Sequence, residues 1–162
     1  MQLPSTMDVW VIDDDETILE SLEAAFTRAG WNTLTFGNVG EFKAQLEVTI
    51  PGCVVADLHI GSDSGMDLIR YVHEVSWPAP AVLISGQLTP TLTVKALRQG
   101  AVTVVEKPIR IEQLCEEVDF ARDRGLEMLK AHYHREAARE AVDSLSAGHR
   151  AVLRELVECR PH

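Results

Sequence analysis

The sequence predicts an α/β protein, a doubly wound parallel sheet of five strands followed by a C-terminal helical extension. Three observations lead there. Five short apolar runs are separated by helical patterns, the alternation expected of βα units joined by right-handed crossovers. The central run, Cys53 to Ala56, is apolar at every position, as suits a strand buried on both faces. Four of the five runs end in a chemically useful polar residue: Asp13/Asp14, Asp57, Ser85 and Lys107. Carboxyl ends of strands are where open α/β sheets bind ligands.

Val9 to Ile12 is a buried-strand candidate running into Asp13-Asp14-Asp15. A helix follows, with Ile18, Leu22, Phe26 and Ala29 on one face and Gly30 as its stop. Asp15 and Glu16 are placed in its first turn, where acids favour the helix dipole. Trp31 to Phe36 reads as a more polar strand, and Asn38 is placed to cap a short helix containing Phe42 and Leu46. Pro51-Gly52 turns the chain into the central strand, and the loop after Asp57 holds Gly61 and a solvated Asp63. Ser64-Gly65 opens a helix carrying Met66, Ile69, Val72 and Val75, ended by Pro78 and Pro80. Ala81 to Ile84 forms a fourth strand closing on Ser85-Gly86. Thr91 to Gln99 is helical, stopped by Gly100, and Ala101 to Val105 is the fifth strand. From Ile111 the pattern is helical to the end.

Composition narrows the function. A chain of 162 residues accommodates one domain plus an extension, and 46% hydrophobic with 25% charged residues is an ordinary globular balance. A formal net charge of −10 argues against this chain alone gripping a nucleic-acid backbone. Met1 to Met7 has no Lys, Arg or apolar core, so no signal peptide is expected, and no apolar run is long enough to span a bilayer. Cys53, Cys115 and Cys159 lie far apart with no Cys-x-x-Cys pair. They are expected to be reduced, mostly buried thiols of a cytoplasmic protein rather than metal ligands.

Several landmarks then converge: Val11-Ile12-Asp13-Asp14-Asp15-Glu16, Val55-Ala56-Asp57-Leu58, Ser64-Gly65, Ile84-Ser85-Gly86, Gln99-Gly100-Ala101 and Glu106-Lys107-Pro108. Each is weak alone, but in this order and at these spacings they are specific. From Val9 to roughly Arg122 the chain resembles the response-regulator receiver domain of two-component signalling. The resemblance implies a flavodoxin-like sheet of order 2-1-3-4-5. It implies a phosphoryl acceptor at Asp57, supplied by a cognate sensor histidine kinase, and weak autodephosphorylation rather than enzymatic turnover.

The residues make chemical sense of that implication. Carboxylates from two strand ends within ~4–6 Å repel one another, and a divalent cation relieves the repulsion. Carboxylates, water and a phosphate suit Mg²⁺. Asp57 would be the nucleophile that forms an acyl phosphate. Asp14, with Asp13 through water, would hold the metal together with Asp57 and the backbone carbonyl of His59. Lys107 would pair with the transferred oxygens, and Ser85 would hydrogen-bond one of them once Asp57 is modified, so that catalysis is positioning and charge stabilisation. The resemblance also implies a cis peptide at Lys107-Pro108. Two positions depart from the family: Gly61 stands where Pro is usual, and Val104 where an aromatic switch residue commonly precedes the Lys.

The domain plan is 1–122 receiver, 123–143 linker or dimerisation helix, and 144–162 the truncated start of a helix-turn-helix domain. Leu126, Leu129, Tyr133, Ala137 and Ala141 continue an apolar seam past the receiver, for which pairing with a second copy is expected, with Gly125 a weak point. Leu145-Ser146-Ala147-Gly148 through Pro161-His162 resembles the opening of a LuxR-type helix-turn-helix. This implies a transcriptional regulator that reads DNA only through its full-length domain, and no membrane partner. Two competing readings are a haloacid-dehalogenase-like phosphatase, from Asp13-x-Asp15-x-Thr17, and a degenerate receiver that only dimerises.

Overall fold

The computed structural model describes residues 8–45, 52–75, 79–145 and 149. The element order is β1 Asp8–Ile12, α1 Glu16–Arg28, β2 Thr33–Phe36, α2 Val39–Gln45, β3 Gly52–Asp57, β4 His59–Ile60, β5 Asp63–Ser64, α3 Gly65–Val75, β6 Ala81–Ser85, α4 Pro90–Arg98, β7 Ala101–Glu106 and α5 Ile111–Asp143. Five strands form a parallel sheet of order β2-β1-β3-β6-β7. Counted among these five alone, that is the expected 2-1-3-4-5. The doubly wound fold class is borne out.

Burial follows each strand's place in the sheet. All six residues of the central β3 are buried, whereas the edge strands β2 and β7 are only partly so. Alternate strand residues point to opposite faces. Val9, Val11, Cys53, Val55, Val82, Ile84 and Val105 share one face and pack with Leu22 and Phe26 of α1 and Leu114, Val118 and Ala121 of α5. On the opposite face Trp10 meets Phe42 of α2 at 5.8 Å between ring centroids, and Phe42 meets Phe36 edge-on at 5.3 Å. Gly52 lies so close to the Trp10 indole that a Cβ there would overlap the ring.

Several local expectations shift. Asp15 is the N-cap of α1, its Oδ1 accepting from the amides of Thr17 (2.9 Å) and Ile18 (3.4 Å), so it lies before the first turn. Ala25, not Ala29, completes the buried face with Leu22 and Phe26; Ala29 is an exposed C-cap because Gly30 at φ 81 ends the helix there. Asn38 does cap α2, accepting from Glu41 N at 2.8 Å. Helix α4 begins one residue early because Pro90 sits in its first turn behind the Thr89 cap, a position where a missing N–H costs nothing. The loop after Asp57 contains an antiparallel hairpin, β4 with β5, turned at Gly61 with φ 59. Leu46, Pro51 and Pro78 lie outside the described residues, as does Cys159; Cys53 is a buried free thiol and Cys115 a half-buried one.

The chain divides into two compact units, Met1–Leu129 and Lys130–His162. Helix α5 runs without interruption through Gly125, which is buried, so the expected weak point does not break it. Leu129 is 3% exposed, so this member of the seam expected to pair with a second copy is already covered within the chain. Ala137 and Ala141 are exposed, and Tyr133 is half-buried against His132 at 6.2 Å. Of the expected helix-turn-helix stretch, 146–148 and 150–162 lie outside the described residues.

Candidate functional site

Four sheet elements deliver side chains to one edge. β1 ends at Ile12 and leaves Asp13 at its carboxyl end, β3 ends in Asp57, β6 in Ser85, and β7 leads into Lys107. Parallel register makes this convergence obligatory: Ile12 pairs with Ala56, Asp57 with Ile84, and Ser85 with Glu106. The strand pairing continues past Asp57 through Leu58 N to Ile84 O at 2.7 Å, and Lys107 N donates to Ser85 O at 2.8 Å. The Lys107-Pro108 peptide is cis, as the resemblance implied.

The Asp57 carboxylate is buried and ion-paired to Lys107, with Nζ to Oδ1 at 2.8 Å. Its other oxygen, Oδ2, accepts from the backbone amide of His59 at 3.1 Å. Asp13 is also buried; its Oδ1 accepts from Asp15 N at 2.9 Å, and its Oδ2 lies 3.9 Å from Lys107 Nζ with no hydrogen-bond partner. Burial pushes the Asp13 carboxyl above its ordinary range, and the charges of Asp57 and Asp14 add to the rise against the Asp15 amide and Lys107. Burial alone would lower the Lys107 ammonium, but the hydrogen bond to Asp57 and the charges of Asp57, Asp13 and Asp14 leave its pKa raised.

Asp14 stays exposed, on the rim of a groove of about 490 Å³ that it shares with Glu16, Glu20 and Glu23 of α1. Ser85 is brought to the same edge but does not engage Asp57. Its hydroxyl donates to Gln87 O at 2.8 Å and accepts from Gln87 N at 3.2 Å. The His59 side chain is exposed; what this residue gives Asp57 is its amide.

Sequence reading took Gly65 only as a helix start and a landmark and missed its contact with Asp57. A Cβ at this position would collide with the Asp57 carbonyl oxygen, and Gly65 N donates to Leu58 O at 3.0 Å. The Ser64-Gly65 pair was legible as a helix start, but its packing on the Asp57 backbone is a contact across the hairpin. Gln87 also escaped notice, and Glu106 entered only as part of the Glu106-Lys107-Pro108 landmark. Glu106 Oε1 accepts from Leu88 N at 3.3 Å, 18 residues away in the chain.

Among the described residues no three His, Cys, Asp or Glu side chains form a cation cage by themselves. Mg²⁺ does not require one, since it keeps several waters and is bound by one or two carboxylates plus phosphate oxygens. Asp13, Asp14 and Asp57 outnumber the single ammonium of Lys107, and the buried Oδ2 of Asp13 has no hydrogen-bond partner. This donor set fits a hard divalent cation.

Two buried strand-end aspartates and a lysine thus meet at the carboxyl edge of a doubly wound sheet, where proteins of this class bind their ligands. The family model for the response regulator receiver domain matches residues 9–119, and the chain belongs to that family. It is 30% identical over 106 residues to response regulator protein TodT of Pseudomonas putida, covering 65% of this chain and 47% of TodT. The chain therefore spans about half the length of that relative. It is 28% identical over 149 residues to transcriptional regulatory protein FixJ of Bradyrhizobium diazoefficiens, covering 92% of this chain and 73% of FixJ. Among solved structures, full-length FixJ from B. japonicum aligns at a TM-score of 0.68 and 27% identity, over 98% of this chain and 78% of that one. The beryllofluoride-activated NtrC4 receiver domain dimer aligns at 0.67 and 27% identity, over 73% and 98%. Family members of this kind are generally not classical enzymes, and receiver domains generally bind Mg²⁺ for phosphorylation. No helix among the described residues is long and apolar enough to cross a membrane.

Proposed function

We propose that this chain is the phosphoacceptor half of a two-component response regulator, with Asp57 the phosphorylated residue. The observation that carries the reading is the 2.8 Å pairing of a buried Asp57 with Lys107, beside an Asp13 oxygen left without a hydrogen-bond partner. An Asp57 oxygen attacks the phosphorus of a phosphohistidine on a sensor histidine kinase. The P–N bond breaks, the imidazole leaves with the electron pair, and an acyl phosphate forms. Lys107 moves from the Asp57 carboxylate to the transferred oxygens, and Ser85 turns from Gln87 to hydrogen-bond one of them. Asp13, Asp14, Asp57 and the His59 carbonyl would hold Mg²⁺, which supplies charge neutralisation of the phosphoryl oxygens when bound.

The output is transcriptional. The match to FixJ extends beyond the receiver to 92% of this chain, which supports a plan of receiver 1–122, linker or dimerisation helix 123–143, and helix-turn-helix start 144–162. DNA is read through that domain in full length, with two copies joined through α5 as a two-fold operator requires. In the phosphatase reading Asp57 has no task, yet Asp57 is the carboxylate that Lys107 holds at 2.8 Å, against 3.9 Å for Asp13. A receiver that merely dimerises has no use for this buried charge set.

The test is mass spectrometry after incubation with a small phosphodonor and Mg²⁺. One phosphate on Asp57, lost in Asp57→Asn and formed far more slowly in Asp14→Asn, supports the reading. A label on Asp13 turns it toward the phosphatase, and no label toward the degenerate receiver.

A further inference from the structure

The turn from β6 to α4 is held by two polar attachments that meet on one peptide unit. Between Ser85, which ends β6, and Thr89, whose Oγ1 caps α4 by accepting from Leu92 N at 3.1 Å, lie Gly86, Gln87 and Leu88, all exposed. The Gln87 carbonyl accepts the Ser85 hydroxyl at 2.8 Å. The N–H of that same peptide unit belongs to Leu88, and it donates to Glu106 Oε1 at 3.3 Å. A peptide unit is planar, so its C=O and N–H cannot turn independently. The carboxylate that fixes the N–H therefore also fixes the acceptor on which the Ser85 hydroxyl rests.

We propose that Glu106 is a positioning residue for Ser85, acting through the Gln87-Leu88 peptide. It sets how readily the Ser85 hydroxyl leaves Gln87 for the Asp57 side. The inference rests on the phosphoacceptor reading of Asp57 and deepens it by adding a residue that touches neither the nucleophile nor the phosphoryl group. Ser85 is 1% exposed, so its hydroxyl has no ready exchange with bulk water when it turns. The resting bonds to Gln87 are then a direct competitor of any bond to a phosphoryl oxygen. A carboxylate acceptor on the Leu88 N–H polarises the peptide and strengthens its carbonyl as an acceptor, which favours the resting position. Glu106 also pairs in register with Ser85 across β6 and β7, so its backbone is fixed relative to the residue it controls. Val104, where the family commonly has an aromatic switch residue, is half-buried on the same strand. Glu106 gives this chain a polar route from the Asp57 edge to the start of α4.

The test uses the full chain and two substitutions, Glu106→Ala, which removes the acceptor, and Glu106→Gln, which keeps a carbonyl oxygen in its place. Amide exchange at Leu88 is measured without phosphodonor, and the rate of phosphate uptake on Asp57 with a small phosphodonor and Mg²⁺. A typical net hydrogen bond corresponds to about a fivefold change in equilibrium, and the exposure of this one keeps it in that range. Leu88 exchange in Glu106→Ala is therefore expected to rise about fivefold, with the Ile84 and Val105 amides of the sheet unchanged. Phosphate uptake is expected to rise with it, because the resting bond of Ser85 to Gln87 is weakened, and Glu106→Gln to restore both toward the parent chain. Unchanged Leu88 exchange overturns the proposal, as does faster exchange with unchanged uptake. If the parent chain itself takes up no phosphate on Asp57, the phosphoacceptor reading fails and the role toward Ser85 falls with it. Leu88 exchange then shows separately whether Glu106 holds the turn.

Discussion

Lys107 reaches both carboxylates of the sheet edge unequally: its Nζ lies 2.8 Å from Asp57 Oδ1 and 3.9 Å from Asp13 Oδ2. One ammonium thus pairs with Asp57 and also faces the Asp13 carboxylate. The arrangement leaves Asp13 incompletely satisfied in a buried position, which is costly for structure alone and useful for charge chemistry.

Lys107→Ala is expected to lower phosphate uptake by tenfold or more while costing about 1–2 kcal/mol of stability. The lysine side chain is 30% exposed, so its pairing is screened relative to a fully buried ion pair. Thermal melts and mass spectrometry on the same samples check the split. A large loss of melting temperature with normal uptake would make Lys107 structural.

Gly65→Ala places a methyl group against the Asp57 carbonyl oxygen, a backbone atom that cannot step aside without moving the end of β3. Overpacking of this kind costs about 1–3 kcal/mol, and Asp57 should lose reactivity with it. Gly61→Ala is the control. Gly61 has φ 59 with nothing within 4 Å of the added Cβ, so only the backbone conformation opposes the change, about 1 kcal/mol. Melts of the two variants should rank them in that order, with reactivity lost only in Gly65→Ala.

Burial pushes the Cys53 thiol from its ordinary 9.0 up to about 12. The folded-state value lies above the unfolded one, so the neutral thiol's contribution to stability is complete below about pH 9 and is lost between 9.0 and about 12. Cys53→Ala should show a shallower fall in stability across that window. In alkylation at pH 8, half-buried Cys115 should react in the native chain and Cys53 only after unfolding, as read by peptide mass spectrometry.

Self-association is expected to run through the exposed part of the α5 seam. Replacing Ala137 and Ala141, both exposed, by Glu should convert dimers to monomers in sedimentation without altering phosphate uptake. If the parent chain is monomeric at micromolar concentration with and without phosphodonor, pairing through α5 is wrong.

Much of the fold was legible because its signals are local. A strand buried on both faces must be apolar throughout, so Cys53 to Ala56 and Val9 to Ile12 announce themselves, and Gly30 ends a helix by its own φ of 81. The hairpin His59–Ile60 with Asp63–Ser64 was not legible, since two-residue strands carry no periodicity. Nor was the burial of Leu129, because an apolar seam reads the same whether or not the folded chain covers it.

By itself the sequence determined that Asp13, Asp57, Ser85 and Lys107 end neighbouring strands of one sheet, because right-handed parallel crossovers place all such ends at one edge. It could not determine which oxygen each of these groups holds. That Asp57 takes Lys107 and the His59 amide, that Ser85 rests on Gln87, and that Glu106 holds Leu88 were decided only in the tertiary structure. The physical reason is range: a strand records its burial residue by residue, whereas a hydrogen bond of about 3 Å depends on where separate segments come to rest.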